Sequence, residues 1–421
     1  MSIADPVMTP PAPRSTAAAP TASVRDPRLD FFRGIAMFII LIAHTPGNWF
    51  TLWIPARFGF SDATEMFVFC SGMASAIAFG KVFEQRGVLL GTARVGFRVW
   101  QVYWAHIGLF LAIAATMAAL NASGAFERDY VGQLNLYPFF RNTAENLPAL
   151  LTLTYVPNYF DILPMYLVIL AMMPLVVGLK KIHLGLAAAF VLVLWFVAQE
   201  GVQQEYLVQH AGSRAFWPVL LELPAEPWSE REWFFNPFGW QLVFFTGFAF
   251  MAGWLPAPPV NRVLIALALI IVIGNVALSN IGIRELGFDW ARDWRIANRE
   301  WITKTDFGLL RFVQFLSLAY LAWIAAGPGG AWLMRLTQHS ATRGLMALIL
   351  KVGQQSLPIF ITSMFLARLM GVAFDVLGRS HGTMILVNGT GALILVAVAY
   401  SVGWIKAQPW KRQRGAGNAA A

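Results

Sequence analysis

Apolar windows of about twenty residues recur along this chain, and a window of that length crosses the roughly 30 Å hydrocarbon of a bilayer as a helix. In lipid every backbone N–H and C=O must be paired within the protein, so only helices and closed barrels can span. The alternating pattern of barrel strands is absent, which leaves helices. The chain is expected to fold as an all-α polytopic membrane protein, with about ten transmembrane helices in one bundle. The expected spans are roughly 33–52, 61–80, 97–120, 160–179, 182–199, 238–256, 261–279, 307–326, 355–376 and 383–405.

Composition agrees. Hydrophobic residues make up 57% of the 421 and charged residues 13%, which excludes a set of soluble domains. The net charge of +9 reads as basic cytoplasmic loops facing anionic lipid. It does not read as nucleic-acid binding, because no basic cluster with interleaved aromatics stands apart from the spans. Cys70 is the lone cysteine, so an internal disulfide and a cysteine-based zinc site are excluded, and its apolar span suits packing.

Residues 1–24, rich in Pro, Ala, Ser and Thr, read as a disordered cytoplasmic leader without the apolar core of a signal peptide. Residues 25–405 form the membrane domain, and 406–421 a basic cytoplasmic tail. Lysines and arginines such as Lys81, Arg86, Lys180, Lys181, Arg262, Arg335 and Lys351 place both termini in the cytoplasm. The long loops 121–159, 200–237 and 280–306 then face outward. Their tryptophans, Trp217, Trp228, Trp233, Trp290, Trp294 and Trp301, suit an interfacial belt or a platform for stacking sugars. Residues 147–158 read as a re-entrant or interfacial piece, and 331–352 as an amphipathic helix on the cytoplasmic side.

Ionisable groups at membrane depth are costly and mark function. Span one carries Arg33 and His44, which lie on one helical face roughly 16 Å apart. Span two opens with Asp62 and Glu65, span three brings Arg94, Arg98 and His106, span four begins with Asp161, and span eight holds Arg311. Depth sorts them. Arg33, Arg94 and Arg98 fall toward the cytoplasm, where three arginines suit an anion rich in phosphates. His44, Asp62, Glu65 and Asp161 fall toward the outside, where a histidine beside carboxylates suits general base work. Asp62 and Glu65 also have the spacing of a capping box. The histidines lack metal-ligand spacing. The pattern points to a reaction between an inner phosphorylated donor and an outer acceptor. A transporter of an anionic small molecule or sugar intermediate is the competing class.

The string Leu29-Asp-Phe-Phe-Arg33-Gly-Ile-Ala, with His44 beyond it, resembles the signature of the acyltransferase family 3 membrane proteins. Blocks at Gly59–Phe69, Asn158–Tyr166, Phe235–Gln241, Lys304–Arg311 and Gly353–Leu357 resemble one branch of it, the OpgC succinyltransferases of osmoregulated periplasmic glucans. The resemblance covers about residues 25–405 and weakens in the leader and the outer loops. It implies a multi-pass enzyme of the bacterial inner membrane. An acyl group, succinyl or another such as acetyl, would pass from cytoplasmic acyl-CoA, a co-substrate and not a resident cofactor, to glucose hydroxyls of a periplasmic glucan. By the same resemblance His44 is the base, with Asp62 and Glu65 as its catalytic partners. Arg33, Arg94 and Arg98 contact the donor's phosphates or its acyl carboxylate, and Asp62, Glu65 and Asp161 orient His44 or bind sugar hydroxyls. His106, Asn236, Trp240, Gln241, Lys304 and Arg311 join the binding set without a derived role. No metal is expected.

Overall fold

A computed structural model describes residues 26–203 and 221–411. The leader 1–24, Trp217 and the tail from residue 412 lie outside the described residues. Among the described residues the backbone is helical, and the one strand-like feature is an isolated antiparallel bridge between Pro224 and Glu232.

Helix α1 (Pro27–His44) begins at Asp26, whose carboxylate accepts the Arg28 N–H at 2.9 Å, with Pro27 in the first turn where its missing N–H costs nothing. It ends at His44, short of the apolar window's end at residue 52. Pro46 drives Thr45 into extended backbone, and Gly47 turns with φ 71°. Helix α2 (Ala63–Ser75) runs through a π turn (Ala76–Gly80) into α3 (Lys81–Ala122), which is kinked at Gly87, φ 83° and ψ 175°. The second and third expected spans therefore lie either side of one kink. Then come α4 (Thr143–Leu151), α5 (Ile162–Ile182), α6 (Leu184–Val197), α7 (Pro237–Met251), α8 (Arg262–Ala277) and α9 (Leu309–Ala325). The chain closes with α10 (Ala331–Gln338), α11 (Ser340–Gln354), α12 (Ser356–Leu377) and α13 (His381–Ala407).

Each apolar window thus falls on helix. Among the described residues five helices are long and apolar enough to cross a membrane, with Ala63–Ala122 taken as one. A sixth results if α9 and Pro328–Gln338, bent by 53°, count together. Helices α6 and α7 are apolar but shorter, and α1 carries Arg28, Asp30 and Arg33 in its first two turns. The molecule is an integral membrane protein.

Helix α1 packs against α2, α11 and α12, so the polar α1 face is enclosed by protein. Two glycine contacts set how closely these backbones approach. A Cβ at Gly34 would strike the Ile349 carbonyl of α11, and one at Gly353 the Asp30 carbonyl of α1. Likewise α2 lies on α7, with Gly72 against the Phe244 carbonyl and Gly247 against the Phe69 carbonyl. Lipid tails give no hydrophobic drive between helices, so small residues that admit backbone contact do this work. Met37, Val68, Phe244, Phe248 and Phe360 fill the space between, all fully buried.

Candidate active site

The start of α2 is anchored both locally and by distant parts of the chain. Asp62 and Glu65 form a capping box: Asp62 Oδ1 accepts the Thr64 N–H, and Glu65 Oε2 accepts the Asp62 N–H, each at 2.7 Å. The remaining oxygens take cations from distant parts of the chain. Lys304 Nζ lies 2.5 Å from Asp62 Oδ2, and Arg311 Nη1 lies 2.6 Å from the fully buried Glu65 at Oε1. Gln314 Oε1 accepts the N–H groups of Phe60 and Ser61 at 2.7 Å each.

Lys304 is delivered by a strap, residues 303–308, that lacks regular structure and is held by side chains. Trp240 Nε1 donates to the Lys304 carbonyl at 2.8 Å, Trp195 Nε1 to the Phe307 carbonyl at 2.9 Å, and Gln199 Nε2 to the Asp306 carbonyl at 2.9 Å. Asn236 Nδ2 donates to Asp306 Oδ1 at 3.1 Å, while the Asn236 N–H meets the Thr305 carbonyl at 3.0 Å. Asn236 and Trp240 thus position the loop that presents Lys304. Gln241 instead ties α7 to α6 through the Val191 carbonyl at 2.8 Å. Burial pushes the Asp306 carboxyl up to about 6, with Glu200 and Glu222 adding to the rise against the opposing Asn236 bond.

Above this corner lies a cavity of about 320 Å³. Its polar lining is His44, Asp62, Thr64, Tyr159, Asp161 and Lys304; Phe234 and Phe235 close one side, and Met364 and Ile40 lie among its apolar walls. His44 Nδ1 lies 2.9 Å from the Ile40 carbonyl. A carbonyl can only accept, so Nδ1 carries the proton and the neutral ring keeps its lone pair on Nε2. The tautomer is therefore set by the backbone of α1 itself. Neither Asp62 nor Glu65 hydrogen-bonds the ring, because the capping box and the two cations occupy both carboxylates. Asp161 is buried in the cavity wall with Oδ1 unpartnered among the described residues.

One residue that sequence reasoning passed over is central here. Tyr159 stands edge-on to His44 with ring centroids 5.5 Å apart, and its hydroxyl donates to the Met364 carbonyl at 2.5 Å. Its φ of 89° is left-handed, a strain of about 1–3 kcal/mol for a bulky residue. Tyr159 lies in the Asn158–Tyr166 block, but nothing in a sequence signals that backbone state. The outer-loop tryptophans within the described residues do not line the cavity. Trp233 is buried against Val156 and Ala225, Trp294 stacks on Phe60, and Trp228, Trp290 and Trp301 are exposed.

A second cavity, of about 260 Å³, is lined by Arg33, Arg94, Arg98, Ser71, Ser75, Gln101 and Tyr166, among others. The three arginines sorted together by depth do meet in space. Arg98 Nη1 donates to Gln101 Oε1 at 3.2 Å, and among the described residues no carboxylate lies within ion-pair distance of Arg94 or Arg98. The two cavities share α1, α2 and α5 as walls. From Ile162 to Tyr166 on α5 is about 6 Å, and from Thr64 to Ser71 on α2 about 10 Å. His106 lines neither cavity; it is buried in α3 with no hydrogen-bond partner for its ring among the described residues. Arg311 sits behind Glu65.

This is a helical membrane protein with two polar cavities, one lined by a histidine, carboxylates and a lysine and one by arginines, that share α1, α2 and α5 as walls. Residues 25–407 match the family described as OpgC protein, and the chain belongs to that family. Membership makes it a transferase that acts on glucans, in the modification of osmoregulated periplasmic glucans. No curated protein and no solved structure matches the chain.

Proposed function

We propose that the protein moves a succinyl group from cytoplasmic succinyl-CoA to glucose hydroxyls of a periplasmic glucan, with His44 as general base. The CoA phosphates sit in the arginine cavity against Arg33, Arg94 and Arg98. The thioester reaches toward the thin wall between the cavities. A sugar hydroxyl enters the histidine cavity, where His44 Nε2 takes its proton as the oxygen attacks the thioester carbon. Lys304 faces the same space and stabilises the negative oxygen of the tetrahedral intermediate, whose collapse breaks the C–S bond. The departing CoA thiolate recovers the proton from the imidazolium. Asp161 accepts hydrogen bonds from neighbouring sugar hydroxyls. In this reading the chain crosses the bacterial inner membrane ten times, with both termini cytoplasmic, as in the acyltransferase family 3 proteins that it resembles.

The observation that carries the reading is the pairing of cavities. A cavity lined by Arg33, Arg94 and Arg98 and a cavity lined by His44, whose Nε2 keeps its lone pair, share walls on α1, α2 and α5, and on α2 and α5 their nearest lining residues are one or two helical turns apart. The test uses the full chain in sealed lipid vesicles with succinyl-CoA labelled in the acyl group and unsuccinylated glucan. Label on the glucan, absent with His44→Ala, supports the reading. Unmodified glucan overturns it, and label accumulating inside vesicles without modification of sugar favours a transporter.

A further inference from the structure

Most charged side chains near the histidine cavity are answered by an opposite charge. Arg368 on α12 is not. It is buried, 8% exposed, and among the described residues no carboxylate lies within ion-pair distance. Its Nη2 donates to Gln133 Oε1 at 3.2 Å, its guanidinium carbon lies 5.2 Å from the centre of the Tyr159 ring, and its Nε is buried without a partner. A buried guanidinium with one amide and one aromatic face for company has a strong demand for an anion. Arg368 stands one helical turn beyond Met364, which lines the cavity and holds the Tyr159 hydroxyl.

We propose that Arg368 receives the distal carboxylate of a dicarboxylic acyl donor and so selects succinyl over acyl groups that end in a methyl. The inference rests on the acyl-transfer reading above. The His44 ring and the Arg368 guanidinium both pack against the Tyr159 ring, which puts the two within about 11 Å of each other. A succinyl chain places its carboxylate about 4 Å from its thioester carbon, and a contact of about 3 Å at each end brings the reach to about 10 Å. An acetyl group ends several ångströms short of Arg368. Lys304 is less suited to the same task, because Asp62 already holds its ammonium. The Tyr159 ring, fixed through its hydroxyl and its strained backbone, forms the side wall along which the acyl chain lies. Arg368 is in this sense a specificity residue for the donor, not a partner of the base.

The test compares kcat/KM for succinyl-CoA and for its uncharged methyl ester, using the full chain in nanodiscs with unsuccinylated glucan. The wild type should prefer the free carboxylate. Arg368→Gln should lower that preference by about thirtyfold, the worth of one charge-assisted contact, and Arg368→Lys should lower it less. Loss of a merely structural arginine would depress both donors alike and leave the ratio unchanged, which would overturn the inference. A wild type that transfers neither acyl group overturns the acyl-transfer reading instead. Should Arg368→Gln not fold, the other two proteins decide. A wild-type ratio near one overturns the inference, and a ratio that Arg368→Lys lowers at least threefold upholds it.

Discussion

The two cavities handle charge in opposite ways. At the corner of the histidine cavity the chain answers its own ions, Lys304 with Asp62 and Arg311 with Glu65 behind it, and Arg368 beyond Met364 is the exception among the described residues. In the arginine cavity Arg94 is exposed, Arg98 is half-buried and bonded only to an amide, and neither meets a carboxylate among the described residues. Charge that the protein satisfies itself shapes a site for a neutral ligand. Charge that it leaves open selects a ligand by sign. In the proposed reading the self-satisfied corner of the first cavity takes the neutral sugar hydroxyl and the open charge of the second takes the polyanionic part of the donor. Construction differs too. The histidine cavity draws on segments scattered from residue 39 to residue 364, and its corner is pinned by hydrogen bonds from the strap. The arginine cavity is built from four helices and the π turn between α2 and α3, with no strap.

The sharpest way to break this comparison is at His44. His44→Ala should lower kcat by about a thousandfold, the usual worth of a general base, while KM for acyl-CoA stays put. A parallel rise in KM would mean that the two cavities are not separate binding stations. The next largest effect is on stability. Glu65→Gln leaves buried Arg311 without its counter-charge and should cost about 3 kcal/mol, read by denaturant unfolding in detergent. A variant as stable as the wild type would show that the corner of α2 is not the anchor described.

Much of the fold was legible because a bilayer leaves a chain few choices. The apolar windows located the helices, and depth alone grouped Arg33 with Arg94 and Arg98, since residues at one depth on neighbouring helices have little room to avoid each other. The capping box at Asp62 and Glu65 was equally legible, being local. What sequence could not give was the identity of partners across distance. Lys304 and Arg311 lie more than two hundred residues from the carboxylates they hold, and Trp240 and Asn236 act on a strap some seventy residues away. Asp62 and Glu65 were expected to partner His44, whereas the hydrogen bond that sets its tautomer goes to the Ile40 carbonyl, one turn back. His106 joined the binding set only through the resemblance, and it lines neither cavity. Tyr159 and its positive φ belong to tertiary constraint, which no pattern of side chains encodes.

The arginine cavity offers a gentler contrast. Replacing Arg33 or Arg98 with Gln should raise KM for acyl-CoA by about tenfold, less than at buried Arg368 because both are partly exposed, and leave kcat near its wild-type value. Arg94, the most exposed, should contribute less, and raising the salt concentration should weaken donor binding in the wild type more than in Arg94→Gln. The glucan KM should not move in any of these variants. If it does, the wall between the cavities transmits more than the geometry implies.

The smallest effect concerns the strap. Asp306 is held at about 6 in the folded protein, above the ordinary aspartate value of about 3.9. A carboxyl whose folded value is raised favours folding while it is protonated, so its contribution is full below about pH 4 and lost as pH climbs through about 6. Between pH 5 and pH 7 the wild type should lose about 1 kcal/mol relative to Asp306→Asn, which cannot titrate there. Unfolding curves for the two proteins across that range give the difference directly, since every other titrating group is common to both. Parallel curves would mean that Asp306 is ionised throughout, with its burial relieved by solvent that reaches the strap. Lys304 would then be presented by a looser loop than the four side chains holding it suggest, and the contrast between a pinned cavity and an open one would soften at that point.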